Sequence, residues 1–193
     1  MIVIEPITVQ NLQVFKEIRL RALKESPGAF GSNYARESVF TDEEWRNRIT
    51  RWAGEAGIGY LAIDDEVACG IAGSFLHPND PARAQLISMW TAPTRRHRGV
   101  GRMLVDSVAA WARLRGATIL DLFVVANNSP AMRFYERLGF VRTGRTQPYP
   151  NDPALIEYEM ARPLPPSHNL PAWMHPVSSR ASSTPFALKF RYD

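Results

Sequence analysis

The chain has 193 residues, 45% hydrophobic and 22% charged, a balance that suits one soluble globular domain with a sizeable core. Its net charge of +4 inclines it mildly toward anionic ligands. The excess is small and partly gathered in one segment, which argues against a polynucleotide-binding face. One cysteine, Cys69, excludes an intrachain disulfide and a multi-cysteine metal site, and its small apolar neighbours make it a core residue.

The opening residues MIVIEPITVQ carry neither the basic nor the long apolar segment of a secretory leader. No apolar run approaches the ~20 residues of a membrane span, so a cytoplasmic chain with no membrane partner is expected. Met1 to Ile7 reads as a first strand. Thr8 or Asn11 can cap a helix whose apolar positions, Leu12, Phe15, Ile18 or Leu20, Ala22 and Leu23, fall near helical spacing; Pro27-Gly28 ends it. Ala29 to Tyr34 is loop-like. Thr41 and Glu44 form a capping box before a helix that puts Trp45, Ile49 and Trp52 on one face. Ile58–Ile63 and Val67–Leu76 read as a hairpin around Asp64-Asp65-Glu66. His77 to Pro81 is an exposed turn into a fourth strand, Ala84 to Thr91.

The segment Arg95-Arg96-His97-Arg98-Gly99-Val100-Gly101-Arg102 comes next. It leads into a helix with Met103, Leu104, Val108, Trp111, Ala112 and Leu114 as its apolar positions, ended by Gly116. Ile119–Val125 is an almost unbroken apolar run, as in a strand covered on both faces. Asn128-Ser129-Pro130 opens a short helix bearing Met132, Phe134, Tyr135 and Leu138 and ending at Gly139. Phe140–Thr143 and Leu155–Met160 close the sheet, the latter alternating apolar and acidic residues. The domain is therefore expected over residues 1–164, followed by a Pro/Ser-rich tail, 165–193, that is extended or disordered.

Two stretches carry chemistry. A strand, a glycine turn and a helix aim free backbone N–H groups at an anion, and four arginines in eight residues add charge. A solvated basic turn is the equal alternative from this stretch alone. In the second stretch, Asn128 to Phe140, the adjacent Phe134 and Tyr135 cannot share a helical face. Taken locally, Tyr135 is an ordinary packed aromatic. His77 and His97 read as exposed loop residues, and no histidine or carboxylate cluster has metal-ligand spacing.

Together the two stretches are more specific. Arg96-His97-Arg98-Gly99-Val100-Gly101 resembles the Arg/Gln-x-x-Gly-x-Gly/Ala signature of the GNAT N-acetyltransferase superfamily. Asn128 to Phe140 resembles that superfamily's Asn-x-x-Ala-x-x-Phe-Tyr-x-x-x-Gly-Phe motif, in the same order and spacing. Arg19 to Trp45 looks like a broad bacterial branch whose substrates are mostly unassigned. The resemblance implies an α/β (α+β) fold, with a mixed, splayed central sheet flanked by helices on both faces and acetyl-CoA in the splay. It implies that backbone groups of Met89, Trp90 and Thr91 pair with the pantetheine arm. Amides from Arg96, His97, Arg98, Gly99, Val100, Gly101 and Arg102 would hold the pyrophosphate, Asn128 would contact the arm, and Tyr135 would lie near the sulfur.

In such a site an amine attacks the acetyl thioester and the CoA thiolate leaves. A tyrosine hydroxyl, with an ordinary pKa of about 10, can protonate that sulfur, while a base takes a proton from the amine. Many relatives carry a carboxylate on the fourth strand for this; Ala84 to Thr91 has none. Glu37 is the substitute candidate, set against a plain solvated loop carboxylate, with Asp121 and Glu159 behind it. The leading expectation is an acetyl-CoA-dependent N-acetyltransferase acting on a primary amine, small molecule before protein. A CoA-binding regulatory or sensing module without turnover is the alternative, and nucleic acid is not an expected partner. The resemblance also allows a homodimer.

Overall fold

The structure is a computed structural model that describes residues 1–165. Its seven strands form one sheet in the order β1-β2-β3-β4-β5-β7-β6. They are β1 (Ile2–Pro6), β2 (Gly57–Asp64), β3 (Val67–His77), β4 (Asp80–Thr91), β5 (Ile119–Val125), β6 (Val141–Tyr149) and β7 (Asp152–Pro163). Only β4 and β5 run parallel; the other neighbours are antiparallel. The sheet is thus mixed, as the sequence predicts. Five helices accompany it: α1 (Leu12–Glu25), α2 (Tyr34–Glu37), α3 (Asp42–Trp52), α4 (Val100–Leu114) and α5 (Ser129–Arg137).

The local signals explain these elements. Thr41 Oγ1 accepts from the Glu44 N–H, and Glu44 Oε2 accepts from the Thr41 N–H at 2.6 Å, closing the capping box of α3. Asn128 Oδ1 caps α5 through the Ala131 N–H. Asp65 and Glu66, both with positive φ, make the tight β2–β3 turn. In α1 the Ile18 phase wins: Phe15, Ile18, Ala22 and Leu23 are buried, whereas Leu20 lies at the margin.

Helices cover both faces, and glycines set how closely. A Cβ on Gly73 of β3 would stand 3.0 Å from the Trp52 ring, and one on Gly59 of β2 only 2.2 Å from it. These glycines form the floor on which α3 rests. Gly70 lies three residues before Gly73, on the opposite face, and a Cβ there would meet Leu104 of α4 at 2.9 Å. The core ends with Leu164, buried against the body. Beyond Pro165, the expected tail lies outside the described residues.

Several expectations need correction. The β3–β4 hairpin is longer than predicted, because His77 pairs with Asp80 across the turn. His77 is accordingly no free loop residue: its Nε2 lies 3.0 Å from an oxygen of the buried Asp121. Leu114, the last residue of α4, is 52% exposed, while Trp111 and Ala112 beside it carry the buried face. The closing hairpin is also longer, as β6 and β7 extend to Tyr149 and Asp152. Among the described residues, no helix is long and apolar enough to cross a membrane.

Candidate active site

The parallel ladder between β4 and β5 is brief, joining Arg83–Gln85 to Ile119–Asp121. Past it the two strands separate, and β4 continues to Thr91 without a ladder to β5. Its backbone groups there lack the strand partner that a sheet interior normally supplies. The stretch is also irregular. Gly73 pairs with Ile87 and Ile71 with Trp90, so Ser88 and Met89 together oppose one residue of β3, and Ser88 has φ +54°. This bulge re-aims β4 where the cleft opens. Trp90 fixes the strand's end: its buried indole N–H donates to Glu25 Oε2 at 2.9 Å, beneath the Arg21 guanidinium.

A one-turn 3₁₀ segment, Pro93–Arg95, leads from β4 to α4. Gly99 caps α4 with φ +83°, a conformation that disfavours a side chain. The first-turn N–H groups of Val100, Gly101 and Arg102 have no acceptor within the helix and carry its positive dipole end. The arginine side chains are already engaged. Arg95 Nε lies 2.8 Å from Asp64 Oδ2 and Arg96 Nη2 3.0 Å from Glu25 Oε2. Arg98 and Arg102 face Asp64 and Asp106 more loosely, at 3.9 and 3.7 Å. What the turn presents to an anion is chiefly backbone. Gly101 has a separate reason to be glycine, because a Cβ there would press on Phe134 at 3.0 Å and Met89 at 3.2 Å.

Between the splayed strands lies a cavity of about 60 Å³ that brings together Met89, Val125, Asn128, Tyr135 and Glu157. Tyr135, 8% exposed, packs edge-on to Phe134 and Phe140. Burial pushes its phenol above the ordinary value, which keeps it protonated and a donor at neutral pH. Glu157 was not among the residues singled out from the sequence. Burial raises its carboxyl, and the bond from Gln147 Nε2 at 2.7 Å pulls part of the way back. The acidic alternation in the last strand was its only sequence signal.

Glu37 is not a solvated loop carboxylate. It ends α2, is fully buried, and receives Arg19 Nε at 2.9 Å, Arg19 Nη2 at 2.8 Å and Arg48 Nη1 at 2.9 Å. Burial would raise its carboxyl, but the Arg19 and Arg48 charges outweigh that and hold it down at about 2. A carboxylate so held is a weak proton acceptor. Asp121 and Glu159 are spent as well. Asp121 binds His77 and Arg83, and Glu159 accepts from Thr143, Arg83 and Arg145.

Beside Glu37 lies a larger cavity, about 440 Å³. Ile87 of β4 lines it, two residues before the Met89 that lines the cleft. Ser88, between the two, lies 3.5 Å from Arg19 Nη1. The two spaces therefore border neighbouring residues of β4.

A sheet that splays between its two parallel strands, with the unsatisfied N–H groups of a helix N-terminus beside the opening, is an α/β arrangement suited to an anionic ligand. Residues 20–140 match the acetyltransferase (GNAT) family, and the chain belongs to that family. It is 28% identical over 139 residues to mycothiol acetyltransferase of Rhodococcus jostii, covering 68% of this chain and 46% of the relative. The match thus spans less than half the length of the curated relatives. The crystal structure of a GNAT-family acetyltransferase from Streptococcus pneumoniae superposes with a TM-score of 0.72 at 20% identity, over 86% of this chain and 100% of that one. The PaiA N-acetyltransferase from Thermoplasma acidophilum, solved in complex with coenzyme A, gives 0.65 at 17% identity over 84% of this chain and 99% of its own.

Proposed function

We propose that residues 1–164 form an acetyl-CoA-dependent N-acetyltransferase unit that works in the cytoplasm on the primary amine of a small molecule. The observation that carries this is the single cleft in which the unpaired end of β4, Asn128 and Tyr135 meet, next to the backbone amides that open α4. The residues present fit the donor. Amides from Arg96 to Arg102 would take its pyrophosphate, the Met89–Thr91 edge would bond its amide-containing arm as an added strand would, and the Asn128 amide would contact that arm. The bound donor supplies an acetyl thioester at the inner end of the cleft. The name of the mycothiol relative is in keeping with a small-molecule acceptor.

Tyr135 then acts as the acid, passing its proton to the sulfur as the C–S bond breaks. Glu157 takes the proton that the amine sheds as the C–N bond forms. Because both line one cavity, that proton can return to Tyr135, leaving no net change on the protein. Glu37 is reassigned from base to anchor of Arg19 and Arg48.

Thiol release measured across an amine panel tests the reading. Tyr135→Phe should lower kcat by about 100-fold, the scale of a lost general acid, while the Kd for CoA shifts by less than about twofold. Glu157→Gln should flatten the acidic limb of the pH–rate profile, which a packing role would leave in place. Coenzyme A binding with no thiol release from any amine would instead favour the sensing module, for which the missing fourth-strand carboxylate speaks.

A further inference from the structure

The 440 Å³ cavity beside Glu37 is of a size for a small molecule, and its charge is lopsided. Arg36, Arg48 and Arg51 line it, with Glu37 as their one acidic counterpart. That carboxylate is already divided between Arg48 and the buried Arg19. Among the described residues, the Arg36 and Arg51 guanidiniums have no carboxylate partner. Burial and the nearby Arg19 and Arg51 charges push Arg48 below its usual value even though Glu37 opposes this, the mark of a crowded positive field. Apart from Ser32, the remaining wall is apolar, with Phe40, Trp52, Phe75 and Ile87. A polyamine entering here would meet like charges; an anion would meet guanidiniums suited to bidentate bonds.

We infer that this cavity is the acceptor site and that it selects amines carrying a carboxylate and an apolar side chain, amino acids as a class, over polycationic amines. Arg36 and Arg51 hold the carboxylate, and the aromatic wall takes the side chain. The amine is left facing Ser88 and the cleft beyond it. Repulsion by the same arginines excludes polyamines. The inference rests on the acetyltransfer reading for its chemistry, though not for binding.

The experiment pairs each of several apolar α-amino acids with the amine that lacks its carboxylate, such as phenylalanine with phenethylamine, and adds spermidine. Thiol release should give a kcat/KM about tenfold higher for the amino acid of a pair, the scale of one charged hydrogen bond, with spermidine poorest. Arg51→Glu and Arg36→Glu, both at exposed positions, should collapse that ratio through KM. Equal or better turnover of the decarboxylated amines or spermidine, with a ratio unmoved by either variant, overturns the inference. Calorimetric titration with N-acetylphenylalanine, which requires no turnover, separates the two readings. Binding that Arg51→Glu abolishes supports the site even if no amine is acetylated, and absence of binding to the parent protein overturns it.

Discussion

At the scale of single residues, two groups owe their chemistry to burial resolved in opposite ways. Tyr135 is buried among aromatic rings with nothing to favour its phenolate, so its proton is retained. Glu37 is buried too, yet two guanidiniums reverse the direction and hold it ionised down to about 2. The sign of its contribution to stability follows. A carboxyl lowered in the folded state stabilises fully above its ordinary value, and that share is lost as pH falls from about 4.5 toward 2. Glu37→Gln should cost about 3 kcal/mol near neutrality, because it strands the buried Arg19 and the half-buried Arg48. Its stability should then fall less steeply with acidification than the parent's. Urea unfolding near neutral pH and near pH ~3 checks this, and parallel losses in both proteins would show that Glu37 carries no such linkage.

At the scale of elements, the β4–turn–α4 unit depends on contacts from α5. Phe134 and Met89 close over Gly101 within 3.3 Å of where a Cβ would sit, which seats the amide-bearing first turn against the cleft. Gly101→Ala should therefore displace both side chains, cost about 1 kcal/mol through overpacking, and weaken CoA binding. Adding Phe134→Leu should recover much of that affinity; additive losses in the double variant would discredit the contact. This unit also marks how far the sequence could be read. The caps of α3 and α5, the buried faces of α1 and α4, and the glycine turn were legible because each is written within a few neighbouring residues. The Ser88 bulge was not, since it arises from register against β3. Nor was the Glu37 cluster, whose partners lie 18 residues upstream and on α3. Glu157 and Glu159 share one strand face by alternation, yet one lines the cleft and the other meets Arg83 and Arg145. Only the pairing of β7 with β5 and β6 separates those fates.

At the scale of the whole molecule, the closing hairpin reaches across to hold the loop after α1. Tyr149 donates its hydroxyl proton to the Phe30 carbonyl at 2.8 Å. Asn151 Nδ2 donates to the same oxygen at 2.7 Å and to the Ser32 carbonyl at 3.1 Å. Phe30 packs its ring under the Arg19 guanidinium, and Ser32 lines the larger cavity. Strand β6 is otherwise exposed along most of its length, so the hairpin's tip depends on this tie, and the loop in turn depends on the tip. Asn151→Ala removes two donors at an exposed position and leaves the helix core untouched. The loop bearing Ser32 and α2 should then sample wider positions, raising the acceptor KM by about three- to tenfold, as loss of about 1 kcal/mol of hydrogen bonding would. The Kd for CoA should not change, because among the described residues the bonds of Tyr149 and Asn151 reach the loop after α1 and not the turn before α4. Initial rates over a range of acceptor concentrations, alongside a CoA titration, read both quantities. An unaltered acceptor KM would mean that α1 and α3 hold the loop unaided, and equal weakening of acceptor and CoA binding would mean that the hairpin braces the cleft as a whole.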